Sequence, residues 1–352
     1  MNADLYEGLP FLVRPENVAR YEEGKVYILD RRIYPQEKSF VCCHSYGEVA
    51  QAIVDMVTQS GGPYFAVACG MALAAFSVRE RPVSEQESTM QAAAQALGSA
   101  RPTNNSIRYL SEQIVSVARK TLAEGKELLP QMEMIVEDVY RRKYEDALRL
   151  GEYAAARIQD GDCILNHCWA ETCLIYTLRA ALAEKKSLSA ICSETRPYLQ
   201  GARLTADAIS EMGIPTTVVT DNMVGRVMQE GKAQVFLSGT DRVTRDGYVF
   251  NKVGTFQAAL CAHYFGIPYY PLCHAPDPSA KTWTDVPVEL RRSEESLFCM
   301  GIRTAAAGVN GYYPAFDVTP PELVTAIITG KGVFLPGEIE HFFDVRPQEG
   351  ES

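Results

Sequence analysis

The chain has 352 residues, enough for two domains that each bury a core. Its 47% hydrophobic and 22% charged residues are ordinary for a globular protein. A formal net charge of -10 argues against a nucleic-acid partner, although a local basic pocket for a small anion stays compatible with it.

In chain order, residues 1–125 read as a small N-terminal α+β domain. Lys25 to Leu29 and Phe40 to His44 look like strands, and helical patterns follow at Gly47–Thr58, Pro63–Val78 and Val83–Leu97. The apolar run Tyr64 to Val78 is too short for a membrane span and contains Gly70 and Ser77. Met1 to Val13 lacks the basic start of a secretory signal. Helical patterning continues from Asn104 to Gln159, so residues 126–160 read as a connecting helix. From Gly161 short apolar runs alternate with helical segments, at Cys163–Leu165, Leu188–Cys192, Thr216–Val219, Gln234–Leu237, Ile267–Leu272 and Gly332–Leu335. That alternation predicts an α/β fold, a Rossmann-like doubly wound parallel sheet over residues 161–347. The tail from about Gln348 reads as disordered.

Ten cysteines lack the dense spacing of a disulfide scaffold, so reduced thiols in a cytoplasm are expected. There is no CxxC or HExxH, and Cys163, Cys168 and Cys173 recur every five residues, which fits neither a strand face nor a helix face. No metal and no cofactor are expected. Chemistry in a doubly wound sheet gathers at the carboxyl ends of the strands. Those ends read Asn166-His167-Cys168-Trp169-Ala170-Glu171, then Glu194-Thr195-Arg196-Pro197 with Gln200-Gly201-Ala202-Arg203, then Asp221-Asn222, then Gly239-Thr240-Asp241-Arg242 followed by Asn251-Lys252. A thiol, carboxylates, amides and cations converge on one edge. Cys168 lies between a strand end and a helix start, where the helix dipole favours thiolate. Asp241 becomes a proton donor if burial raises its pKa. A helix start after Gly201 would offer N–H groups to an anion. On a strand His167 points away from Cys168, and a packed histidine is expected.

The motifs His167-Cys168, Glu194 to Thr205, Gly239-Thr240-Asp241-Arg242-Val243, Asn251 to Thr255 and Pro314 to Pro320 carry a resemblance. From about residue 20 to 340 the chain resembles the methylthioribose-1-phosphate isomerases of methionine salvage. These share a fold with the regulatory subunits of translation initiation factor two-B and with ribose-1,5-bisphosphate isomerases. The resemblance implies an aldose–ketose isomerase acting on a sugar phosphate, a homodimer without cofactor. It implies Cys168 as base or proton shuttle and Asp241 as ring-opening acid. Gly61, Gly62, Arg101 (in Ala100-Arg101-Pro102-Thr103), Gln200, Asn251 and Lys252 match substrate-binding positions. A non-catalytic sensing protein and a ribose-1,5-bisphosphate isomerase are the alternatives.

Three positions depart from the family pattern. Ser60-Gly61-Gly62-Pro63 stands where Arg-Gly-Ala-Pro is usual, Trp169 replaces a small polar residue, and Glu171 replaces a glycine. A buried carboxylate beside a phosphate is costly unless protonated or paired. Glu171 is therefore expected to face away, to pair with Arg196 or Arg203, or to contact a different substrate. A second phosphate is disfavoured, and 5-deoxyribose 1-phosphate joins methylthioribose 1-phosphate as a candidate.

Overall fold

The computed structural model describes residues 3–101 and 104–345. Pro102 and Thr103 of the Arg101 motif, and the tail from Gln348, lie outside them. The chain divides into two compact units, residues 1–144 and 145–352. The division falls inside one helix, within the segment 126–160 that the sequence reading gave to a connection.

The first unit opens with two short helices, α1 (Ala3–Tyr6) and α2 (Pro15–Val18). An antiparallel sheet follows, β1 (Ala19–Glu22), β2 (Lys25–Leu29) and β3 (Phe40–Cys43), paired through Ala19↔Ile28 and Val26↔Cys43. β2 has the predicted bounds. β1 escaped the reading because Ala-Arg-Tyr-Glu shows no apolar alternation. Ser45 starts α3 (Tyr46–Val54) by accepting the Glu48 N–H, while the Glu48 carboxylate accepts the N–H of His44, just before the cap. The apolar run at Tyr64 becomes α4 (Gly62–Ser77), buried along nearly its whole length. Its small residues admit neighbours closely: a Cβ on Gly70 would lie 3.0 Å from Leu97. That neighbour belongs to α5 (Val83–Ser99), which precedes α6 (Asn105–Ala123). Then comes the long α7 (Leu128–Ala155), in which Tyr140 and Tyr144 donate to the Ala19 and Val13 carbonyls, each at 2.5 Å.

In the second unit seven strands form one sheet in the order β15-β14-β10-β7-β4-β5-β6. They are β4 (Cys163–His167), β5 (Ser189–Ser193), β6 (Thr216–Val219), β7 (Val235–Gly239), β10 (Tyr269–Leu272), β14 (Ile327–Thr329) and β15 (Gly332–Phe334). All neighbours are parallel except β14 and β15. The expectation that Gly332–Leu335 joins the parallel set is thus corrected. Only Gly330-Lys331 separates β14 from β15, and so short a link can only fold back antiparallel.

Helices cover both faces: α8 (Glu171–Ala183) and α9 (Ala206–Glu211) on one, α10 (Val224–Gln229) and α11 (Thr255–Phe265) on the other. Successive residues of β4 divide accordingly, with Ile164 in the core against α8 and Leu165 in the core against α10 and α11. Burial on both faces explains why these strands read as continuous apolar runs.

The strand order reverses between β4 and β7. The chain runs outward from β4 through β5 to β6, then returns to place β7 on the other side. In such a sheet this switch leaves a crevice at the carboxyl ends of the two central strands. A three-stranded antiparallel sheet, β8 (Arg242–Val243), β9 (Val249–Lys252) and β13 (Phe316–Thr319), rises from the end of β7. A small hairpin of β11 (Phe298–Cys299) and β12 (Ile302–Arg303) completes the unit. Among the described residues no helix is long and apolar enough to cross a membrane.

Candidate active site

The two residues expected to react flank the switch crevice. His167 at the end of β4 pairs with Ser238 near the end of β7. Cys168 follows the first, and Asp241 stands three residues after the second. Asp241 occupies the turn into β8, where its N–H donates to the Phe250 carbonyl at 2.9 Å.

The backbone around Cys168 is held away from its relaxed form. Cys168, Glu171, Thr195 and Leu199 all have positive φ, between 50° and 66°. Such values cost about 1–3 kcal/mol each for a side-chain-bearing residue and persist only where neighbours enforce them. Here the enforcing groups are visible. The Cys168 N–H donates to Thr195 Oγ1 at 2.9 Å, and Thr205 Oγ1 donates to the Cys168 carbonyl at 2.5 Å. Thr195 is fixed in turn by Asp221, whose carboxylate accepts the N–H groups of Thr195 and Arg196, both at 2.7 Å.

His167 is packed. Nδ1 meets Ser193 Oγ at 2.6 Å and Nε2 meets the Val253 carbonyl at 3.0 Å. A carbonyl can only accept, so Nε2 carries the proton and Nδ1 accepts from the serine. Burial lowers its pKa, which keeps the ring neutral. Its edge explains Gly254, where a Cβ would come within 2.8 Å of the imidazole.

The thiolate expectation for Cys168 is corrected. Burial pushes the thiol above its ordinary value, and Lys252, the Trp169 N–H and Arg291 only partly oppose this. Cys168 also precedes α8 by three residues, so it does not sit in the helix's first turn. The condition set for Asp241 is not met by the protein either, because its side chain is exposed.

Of the expected substrate residues, Gln200, Asn251 and Lys252 belong to the second unit and are all buried. Gln200 Oε1 is buried without a hydrogen-bond partner among the described residues. Asn251 Nδ2 donates to Thr255 Oγ1 at 2.9 Å. Lys252 Nζ reaches the Tyr313 hydroxyl at 3.1 Å. Rings of Tyr198, Tyr313 and Phe316 stand 5.1 to 5.7 Å from that ammonium. The N–H groups expected to greet an anion after Gly201 are already engaged. Ala202 donates to the Glu194 carbonyl and Arg203 to that of Leu199, in a π-helical turn from Gly201 to Thr205.

Gly61, Gly62 and Arg101 belong to the first unit. Gly61 caps α4, and a Cβ on Gly62 would lie 1.9 Å from Thr58 Oγ1, so only glycine fits. Beneath this turn the fully buried Arg31 donates through Nη1 to the Gln59 carbonyl at 2.7 Å. Arg101 Nη1 lies 3.2 Å from Met56 Sδ.

Trp169 and Glu171 are both buried. Glu171 opens α8, where a negative charge meets the positive end of the helix dipole. Arg196 is no partner for it: that guanidinium donates to the carbonyls of Pro197, Ser296 and Phe298.

Sequence reasoning missed Arg291. Its Nε donates to Glu289 at 2.6 Å, and its guanidinium lies 5.3 Å from the Tyr198 ring, 6.0 Å from Tyr313 and 5.7 Å from Phe316. In Glu289-Leu290-Arg291-Arg292-Ser293-Glu294-Glu295 it reads as one charge in a solvated run. A second thiol has a neighbour that the spacing of the cysteines did not reveal. Cys173 Sγ lies 3.3 Å from His274 Nε2, and His274 Nδ1 lies 2.5 Å from Asp146 Oδ2.

A doubly wound unit with a thiol and a carboxylate at its switch point, and buried cations beside them, defines a class of anion-handling enzyme folds. The chain belongs to the initiation factor 2 subunit family, which matches residues 58–336. It is 36% identical over 324 residues to the methylthioribose-1-phosphate isomerase of Thermosipho africanus, covering 89% of this chain and 93% of that one. The corresponding Petrotoga mobilis protein is 35% identical over 329 residues, with the same coverage. Among solved structures, 5-methylthioribose 1-phosphate isomerase from Pyrococcus horikoshii superposes with a TM-score of 0.83 at 29% identity, covering 98% of this chain and 99% of that one. Translation initiation factor eIF-2B, subunit delta, from A. fulgidus gives 0.77 at 34% identity, covering 91% and 96%. Within the family, the chain belongs with the methylthioribose-1-phosphate isomerases.

Proposed function

We propose that this enzyme, an isomerase like its relatives, converts a ring-closed aldose 1-phosphate to the ketose 1-phosphate, the substrate being methylthioribose 1-phosphate or a close 5-modified analogue such as 5-deoxyribose 1-phosphate. The observation that carries the reading is the placement of Cys168 and Asp241 on the two sides of the β4/β7 crevice, within motifs that resemble those of the isomerase family. Phosphorylation at C1 locks the sugar ring, so the ring must open without a free aldehyde. Asp241 protonates the ring oxygen as the C1–O bond breaks, and the phosphate-bearing oxygen takes up the deficit at C1. Cys168 as the thiolate then removes the proton at C2 to give an enol phosphate and returns it to C1, while the C2 hydroxyl gives its proton to the Asp241 carboxylate, which forms the ketone and restores the acid. Gln200, Asn251 and Lys252 bind the sugar and its phosphate, and on the first unit Gly61, Gly62 and Arg101 are kept as phosphate ligands.

The buried thiol must lose its proton before it can act at C2, and Lys252 and Arg291 are the charges that favour that loss. A bound sugar would shield the exposed Asp241 carboxyl from water. An alternative hydride shift from C2 to C1 keeps the hydrogen out of solvent. Substrate deuterated at C2 separates the two: the shuttle loses label to water, and full retention at C1 would remove the thiol from the proton path.

The decisive assay offers the purified protein methylthioribose 1-phosphate, 5-deoxyribose 1-phosphate and ribose 1,5-bisphosphate without added cofactor. Ketose formation from the first two is expected, with the bisphosphate poorest. Tight binding of all three with no ketose would favour a sensing protein, the reading supported by the likeness to the eIF-2B delta subunit. Against that reading stands the retention of both reactive side chains. We also propose a cytoplasmic homodimer. Phe256, Leu260 and Tyr264 leave an apolar stripe exposed along α11, which supports self-association; sedimentation of the native protein checks it.

A further inference from the structure

Two buried cations share one aromatic cage beside Cys168. Tyr198, Tyr313 and Phe316 each lie within 6.0 Å of both the Lys252 ammonium and the Arg291 guanidinium. Backbone pairing fixes the second cation in place. Arg291 N–H donates to the Tyr313 carbonyl at 3.0 Å, Ala315 N–H donates to the Glu289 carbonyl at 2.8 Å, and Leu290 bridges Pro314. The Arg291 side chain is 9% exposed. Glu289 occupies its Nε edge, while Nη1 is buried with no hydrogen-bond partner among the described residues. A buried guanidinium donor without an acceptor is costly. Three other acids nearby have partners of their own. Glu295 binds the Tyr198 hydroxyl, Asp317 accepts the N–H groups of Gly254 and Phe256, and Asp221 holds the Thr195 turn. Burial works against the charge on Arg291, but its carboxylate and phenol neighbours outweigh it and keep the guanidinium charged, and that charge reaches the Cys168 sulfur.

We propose that Arg291 is a substrate-binding residue, donating through Nη1 to an anionic oxygen of the substrate's phosphate and completing with Lys252 a two-cation clamp next to Cys168. This rests on the sugar-phosphate reading above and adds the residue that grips the anion within the second unit. A planar fork suits a phosphate oxygen better than an ammonium does, so lysine is an incomplete replacement.

The test uses the full-length enzyme with Arg291→Lys and Arg291→Met, and inorganic phosphate as probe. Peptide-resolved mass spectrometry follows iodoacetamide alkylation of Cys168 at pH 9 against phosphate concentration. In the wild type phosphate slows alkylation. Protection by phosphate is expected to weaken by about 10- to 100-fold in Arg291→Met, the loss of one charge-assisted hydrogen bond, and by less in Arg291→Lys. In turnover the loss is expected in KM more than in kcat, whereas a merely structural arginine would change folding and leave phosphate protection alone. If Arg291→Met does not fold, Arg291→Lys decides, since it keeps the charge in the cage. Protection unchanged in the folded variant overturns the proposal. An enzyme that makes no ketose, yet shows Arg291-dependent phosphate protection, keeps the clamp and overturns the isomerase reading instead.

Discussion

Cys168 and Cys173 are five residues apart at the start of α8, yet the fold gives them opposite surroundings. Cys168 sits on a strained turn beside Lys252 and Arg291, with its backbone held by two threonine hydroxyls. Cys173 lies in the first turn of the helix with its sulfur 3.3 Å from His274 Nε2, and the other ring nitrogen of His274 lies 2.5 Å from Asp146 Oδ2. The second arrangement looks more like an activated nucleophile, because imidazole can take a thiol proton directly. The first has the electrostatics that an anionic substrate requires. A cysteine's role is therefore set by which charges the substrate will meet, and not by the nearest base.

The largest expected effect separates the two thiols outright. Cys168→Ser should lower kcat by about 10³-fold or more, with Asp241→Asn similarly severe, as expected on removing a positioned proton-transfer group. Unchanged turnover in either variant would end the proposed mechanism. Next comes pH. A thiol whose pKa is raised stays protonated through neutrality, so Cys168 alkylation should climb about tenfold per pH unit above 7 without levelling at an ordinary cysteine's midpoint. Lys252→Met should push that rise further upward, since it removes the largest opposing charge. A midpoint below the ordinary thiol range would restore the thiolate expectation.

The helix contact that sets Cys173 in place can be broken separately. A Cβ on Gly151 of α7 would lie 2.6 Å from the Tyr176 carbonyl of α8, so Gly151→Ala should cost about 1–3 kcal/mol in urea unfolding. His274→Gln should cost about 1 kcal/mol by the same measurement, the value of a typical buried hydrogen bond. Smallest of all, Cys173→Ser should leave kcat/KM within about threefold of wild type, a barrier change below 1 kcal/mol. A loss comparable to that of Cys168→Ser would show that the comparison had been drawn the wrong way round.

Much of this was legible in the chain. The strands β2 and β6 stand where the apolar runs placed them, reading past strand ends brought Cys168 and Asp241 to one edge, and the family resemblance singled out the two as the proposed pair. Backbone alternation and strand-edge chemistry are local signals, so a single sequence reports them. The small sheet of β8, β9 and β13 was not read as strands, because Asn251 and Lys252 break the apolar pattern exactly where the site needs polar groups.

By itself the sequence determined the α/β class, the packed His167 and the candidates Cys168 and Asp241. Each follows from the period of a strand or from its carboxyl end. Only tertiary structure decided the charge state of Cys168, because burial is a property of everything packed around it. It also decided that Arg291 joins Lys252 in one cage and that Cys173 meets an imidazole 101 residues away. Long-range contacts of this kind leave no local periodicity, so the electrostatics of the site emerge only when the chain is folded.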